Sequence, residues 1–134
     1  MLKVVLKHSA AAIGTVVAAV LLVGSAFRLQ SRETRGKAMI KAFWSGHNRE
    51  GQLLISLGAD PNFLTNNASA MHVAAGRGDM ELMRFLIEHG AAVDQPVKWD
   101  VRPIDWARRY QQTEAVHFLI AHGADGNHVP QTPP

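Results

Sequence analysis

The chain contains no cysteine, so it has no disulfide framework, no thiolate zinc site and no cysteine nucleophile. It is short of charge as well: 19% of its 134 residues are Asp, Glu, Lys or Arg, which excludes a disordered polyelectrolyte. At that length there is room for one compact domain and a short extra segment, which excludes a multidomain enzyme. Aromatic residues are scarce too, with three Trp and a single Tyr, so where they fall carries information.

The charge that is present is unevenly spread. Residues 1–41 hold seven Lys or Arg against Glu33 alone, a balance of +6, while residues 42–134 hold seven basic and ten acidic residues, a balance of −3. The overall +3 and the basic isoelectric point therefore describe the N-terminal end, and the usual step from a basic isoelectric point to nucleic-acid binding fails.

From Ser9 to Phe27 there are 19 residues without a charge, preceded by Lys3 and Lys7 and followed by Arg28, Arg32 and Arg35. That length suits a helix crossing the hydrocarbon core, which needs about 17–25 apolar residues. The expected organisation is a short tail at 1–8, a transmembrane helix at 9–27 and a basic linker at 28–35. A cleaved export signal is the alternative, because Gly24, Ser25 and Ala26 offer a small-residue cleavage point, and a buried soluble helix is a third reading. Cations flank both ends, so the side on which the folded domain lies stays open between cytoplasmic and periplasmic or extracellular. Ala10, Gly14 and Ala18 form a row of small residues suited to weak self-association of such a helix.

Beyond residue 35 the chain repeats. Gly58 and Ala59 recur as Gly90 and Ala91 and as Gly123 and Ala124, at offsets of 32 and 33. The same offsets carry Met39 onto Met71 and Ile104, Ala42 onto Ala74 and Ala107, and Leu54 onto Leu86 and Leu119. Ile55, Ile87 and Ile120 follow the same rule. Such a period marks a solenoid of short units. Each unit reads as two helices joined by a turn, with small Ala letting first helices pack closely. Phe85, Leu86, Ile87, Phe118, Leu119 and Ile120 are expected to fill the space between second helices, and Gly is expected to stop each second helix in the left-handed conformation.

Ser69-Ala70-Met71-His72-Val73-Ala74-Ala75 resembles the TPLHxAA motif of the ankyrin repeat family. GADPN at 58–62, GAAVD at 90–94 and GADGN at 123–127 resemble its GADVN helix ending. The resemblance covers residues 36–127, as units 36–65, 66–97 and 98–127, with 128–134 left as a disordered tail. It implies an all-α helix-turn-helix solenoid of about three repeats. Three departures stand out: Ala70 replaces Pro, the third unit reads Arg102-Pro103-Ile104-Asp105 with Asp where the family has His, and the first unit lacks a preceding hairpin. Lost capping contacts there would weaken the domain.

The resemblance also implies a protein partner, no catalysis and no small-molecule substrate or cofactor, the family binding through its hairpin tips and the concave face of its first helices. Mapped here, that face comprises Lys41, Trp44, Ser45, Val73, Gly76, Arg77, Trp106, Arg109 and Tyr110. The tips add Phe63, Leu64, Asn66, Asn67, Lys98, Trp99 and Asp100. All three Trp and the single Tyr fall on this one surface, and Trp, Tyr and Arg dominate interface energetics. The expected partner-binding residues are Trp44, Arg77, Trp99, Trp106, Arg109 and Tyr110, with partial burial of Trp44 and Trp106 against neighbouring units as the competing reading. The expected function is a membrane-tethered adaptor. A permanent structural or accessory subunit of an enzyme or homo-oligomer, or an exported periplasmic ankyrin protein after signal cleavage, is the alternative. His89 and His122 occupy equivalent places about one helix spacing apart, too far for one zinc. Gly76-Arg77-Gly78-Asp79 is a helix-linking turn in this register.

Overall fold

The computed structural model describes residues 32–65 and 67–131. The expected tail at 1–8 and transmembrane helix at 9–27 lie outside the described residues, among which no helix is long and apolar enough to cross a membrane. The regular elements are helical. A first helix, α1, covers residues 32–44, so the chain is already helical within the expected linker at 28–35. It is followed by α2 (Asn48–Ser56), α3 (Ala70–Arg77), α4 (Met80–Glu88), a single 3-10 turn (Lys98–Asp100), α5 (Pro103–Arg109) and α6 (Thr113–Ala121). An antiparallel bridge between Val97 and Val101 closes the hairpin around that turn.

The repeat read from the sequence is a repeat of burial. Met39, Met71 and Ile104 are buried at one position, Leu82 and Ala115 at another, Leu86 and Leu119 at a third, and Ala59, Ala91 and Ala124 at a fourth. All belong to one continuous core, because each short helix pair has an apolar face that only its neighbours can cover. Gly58, Gly90 and Gly123 stop the second helices with φ of 90°, 83° and 100°, as expected. Ile120 departs from the expectation and is 43% exposed. It belongs to the last unit, and among the described residues no further helix pair follows to cover it.

At the two motif departures, Ala70 and Asp105, the helix starts keep their capping contacts. The Ser69 side chain and His72 form a reciprocal capping box at the start of α3. At α5, Asp105 takes the place of His and its Oδ2 accepts the Arg102 backbone N–H at 2.8 Å, while Pro103 fits the first turn, where no amide hydrogen is needed. Asp79 caps α4 by accepting Leu82 N–H at 3.0 Å. Asn62 staples the first unit to the second: its amide donates to the Gly90 carbonyl at 2.9 Å and accepts Ala92 N–H at 2.7 Å.

Residues 128–131, expected to open a disordered tail, are docked on the third unit. His128 is buried, with Nε2 2.8 Å from the Asp100 carbonyl and 3.3 Å from Asp105 Oδ2. Arg108 donates to the carbonyls of Gly126 and His128, and Gln131 N–H donates to the Trp99 carbonyl at 3.0 Å. Composition suggested a free end, and a hydrogen-bonded buried imidazole overrides it.

His72 ties the middle unit to the last hairpin. Ser69 N–H can only donate, so its bond to Nδ1 at 3.2 Å leaves that nitrogen unprotonated. The hydrogen therefore sits on Nε2, which donates to the Val101 carbonyl at 3.1 Å. Burial pushes the His72 imidazole below its ordinary value, outweighing the Val101 carbonyl and the Asp105 charge, which pull it up. The unfolded chain therefore binds this proton more readily than the folded one. Stability is complete above the ordinary value of about 6.5 and falls as the pH drops through that value toward the lower folded one. Urea titrations between about pH 8 and 5 should show a steeper loss for the parent chain than for His72→Gln.

Candidate functional site

The first helices place the aromatic residues through their spacing. Trp106 and Tyr110 are four residues apart, at the middle and end of α5, and so lie on one side of it. Trp44 closes α1. Between α1 and α5 lies α3, which at this level offers Gly76. A Cβ built there would stand 3.1 Å from the Trp106 ring and 3.2 Å from the Tyr110 ring, so the missing side chain is the seat on which both aromatics rest.

With the middle unit lowered in this way, the outer two units touch over it. The rings of Trp44 and Trp106 have centroids 5.4 Å apart and are tilted by 60°. Trp106 and Tyr110 meet edge-on at 6.3 Å, and the His72 ring meets Trp106 edge-on at 5.6 Å. These are the separations and tilts that aromatic quadrupoles prefer. Trp106 is half-buried against the core, whereas Trp44 and Tyr110 are each 53% exposed. The competing reading therefore holds for Trp106 more than for Trp44.

Arg77 and Arg109 are exposed at the ends of their helices. Arg77 has a structural task too, since its Nη1 donates to the Phe43 carbonyl at 2.8 Å and to Asn48 Oδ1 at 3.4 Å, linking the first two units. Asn48 in turn donates to Asp79 Oδ2 at 2.6 Å. Of Gly76-Arg77-Gly78-Asp79, expected to link helices as a turn, Gly76 and Arg77 are the last residues of α3, and only Gly78, left-handed at φ 64°, and Asp79, the cap of α4, make the link.

Trp99 stands apart from the strip, at the tip of the third hairpin, and is 37% exposed. It and Asp100 both have positive φ, 68° and 53°, a conformation that costs a bulky residue about 1–2 kcal/mol. The Val97 N–H bond to the Val101 carbonyl at 2.8 Å and the Gln131 bond hold the tip against that strain. Lys98 Nζ lies 5.0 Å from the Trp99 ring centroid. Asp100 supports rather than presents: its carboxylate faces Arg102 at 3.5 Å, and Arg102 also bonds Asp94 at 2.5 Å.

Of the expected surface positions, one is buried and one is half-buried. Val73 is 1% exposed, because α3 is the middle helix and is covered from both sides. Phe63 packs over Gly36, whose missing side chain leaves room for the ring, and so braces the first hairpin instead of marking its tip. Leu64 and Asn67 are exposed, and Asn66 lies outside the described residues.

The histidines that invited a metal reading have other partners. His89 stacks on Phe85 at 4.0 Å and His122 packs on Phe118 at 4.1 Å, each with Nδ1 2.8 Å from that Phe's carbonyl. Among the described residues no group of three His, Asp or Glu is placed to hold a metal ion. Sequence reasoning placed Gly76 on the first-helix face without its role as the seat of the rings, and it gave Asn62 no role between units. Gly76 could have been found as the one residue without a side chain in a row whose neighbouring units carry Trp44 and Arg109.

Part of this sequence is shared with other proteins, among them the following. The chain is 34% identical over 94 residues to the ankyrin repeat and KH domain-containing protein mask-1 of Caenorhabditis elegans, covering 69% of this chain and 4% of that protein. It is 32% identical over 72 residues to serine/threonine-protein kinase 12 of Arabidopsis thaliana, covering 53% and 16%. It is also 32% identical over 75 residues to alpha-latroinsectotoxin-Lt1a of Latrodectus tredecimguttatus, covering 55% and 5%. The chain thus spans a small fraction of the length of each relative. The ankyrin repeat profile, in three copies, matches residues 38–129, which is more than half of the chain. With three stacked helix pairs, glycine stops and a His72 capping box at the motif positions, the chain belongs to the ankyrin repeat family.

Proposed function

We propose that this protein is a membrane-tethered adaptor whose ankyrin repeats hold a protein partner on the aromatic strip of the first helices. Ankyrin repeats are protein-interaction modules rather than catalysts, so what needs explaining is where and how this one binds. The observation that carries the reading is the exposure of Trp44 and Tyr110 at 53% each, on either side of Gly76 and in contact with Trp106. A solenoid gains little from leaving such rings in water, and large aromatic side chains are the usual anchors of an interface. Trp99 extends the surface at the neighbouring hairpin tip.

Tyr110→Ala is the clean test, because the ring is exposed and its loss leaves the core intact. Partner capture should weaken by about 1–3 kcal/mol, or about 5- to 150-fold, with the unfolding midpoint nearly unchanged. Unaltered capture after both Tyr110→Ala and Trp44→Ala would move the site elsewhere.

The tether rests on the uncharged run from Ser9 to Phe27. Full-length protein should stay with the membrane pellet after alkaline carbonate extraction. Release at full mass would refute the anchor, and a mass lower by about 15–30 residues would support signal cleavage.

A further inference from the structure

The first-helix face separates charge in a way that the chain as a whole does not. Residues 42–134 carry seven basic and ten acidic side chains, yet the exposed ionic groups at the ends of the first helices are cations: Lys41, Arg77 and Arg109. From residue 36 onward the first helices contain one acid, Asp105. Its carboxylate is occupied by the Arg102 N–H, with His128 at 3.3 Å and Arg108 at 3.8 Å. Glu50, Glu81, Glu88 and Glu114 lie on the second helices, on the other layer of the solenoid.

Among the described residues neither Lys41 nor Arg109 makes an ion pair, and Arg77 commits one guanidinium nitrogen to the Phe43 carbonyl and Asn48. Lys41 and Arg109, on the same helices as Trp44, Trp106 and Tyr110, thus stand without a paired carboxylate, and Arg77 reaches the Asp79 carboxylate only through Asn48. Placing like charges together costs energy in the free protein, and that cost is relieved by a partner of opposite sign.

We propose that this face recognises an extended acidic segment of a protein, in which a large apolar side chain lies against the aromatic strip and flanking carboxylates meet Lys41, Arg77 and Arg109. The proposal deepens the adaptor reading above and rests on it. A single-stranded nucleic acid also combines negative charge with stacking, but it needs open ring faces in succession. Here Trp44 and Tyr110 meet Trp106 at 60° and 63°, so the rings form a ridge of edges and faces that suits an aliphatic or aromatic side chain better than a stack of bases.

The experiment is a selection of random displayed peptides, about a dozen residues long, against the full chain in non-ionic detergent, followed by resynthesis of the enriched sequences. Enriched peptides should combine Asp or Glu with a Leu, Ile, Phe or Trp. Their affinity should fall by about tenfold or more with Lys41→Glu plus Arg109→Glu, at an unchanged unfolding midpoint, and also on raising salt from about 0.05 to 0.3 M. Neutral or basic enriched peptides, or an affinity changed less than about twofold by the double reversal, overturn the acidic class. Displacement of the peptides by oligouridylate at lower concentration than their own overturns it in favour of nucleic acid. Neutral peptides that are lost with Tyr110→Ala would leave the adaptor surface standing without its charge preference. Peptides indifferent to both Trp44→Ala and Tyr110→Ala would remove the surface itself.

Discussion

Leu86→Ala should lower the stability of the repeat domain by about 2–5 kcal/mol, enough to leave little of it folded. Leu86 lies in α4, in the middle of the three units, and is fully buried. Its equivalent in the next unit, Leu119, is also fully buried and belongs to the same core. In a globular core, surrounding side chains can relax from many directions around a cavity. In a solenoid of three units each interface has few members, and losing one central contact weakens the coupling on which both outer units depend. All three Trp lie in the repeats, so intrinsic fluorescence in a urea titration of the full chain reads the transition directly. An unchanged midpoint would mean that the leucine is not the linchpin its position implies.

Trp106→Ala should do two things at once, and this separates it from Tyr110→Ala. Trp106 is half-buried, meets His72 edge-on, touches Trp44 across Gly76 and packs on Tyr110. Full truncation of a buried large aromatic costs about 3–5 kcal/mol, and half-burial lowers that to about 2–3 kcal/mol. The same change removes the ridge on which a partner side chain rests, so capture should fall by at least the factor expected for Tyr110→Ala. Midpoint and capture therefore drop together for Trp106, whereas capture alone drops for Tyr110. A Trp106→Ala protein that keeps its midpoint but loses capture would make the residue purely a binding group. One that loses stability but, below its midpoint, still binds as before would make it purely structural.

Most of the fold was legible in the sequence, and the reason is periodicity. Each unit must bury one face against the next, so Met39, Met71 and Ile104 reappear at a fixed spacing, as do Leu86 and Leu119, and Gly58, Gly90 and Gly123 mark every helix stop. Where the period ends, so does its reach. Ile120 obeys the repeat in sequence but stays exposed, because burial depends on a neighbour and not on the residue itself.

The candidate surface was legible in membership but not in arrangement. The sequence placed Trp44, Trp106 and Tyr110 on first helices, because helical spacing assigns residues to faces. It could not show that Gly76 lets units one and three touch above unit two, since that contact spans 62 positions and depends on how closely three helices approach. Val73 and Phe63 were misplaced for the same reason, one covered from both sides and the other drawn onto Gly36. By itself, then, the sequence determined the repeating units and the family. Only the tertiary structure decided which aromatics remain at the surface, that His128 folds back onto Asp100, and that Lys41 and Arg109 stand without a paired carboxylate. Local pattern sets the helices, whereas exposure and charge pairing are properties of contacts between units distant in the chain.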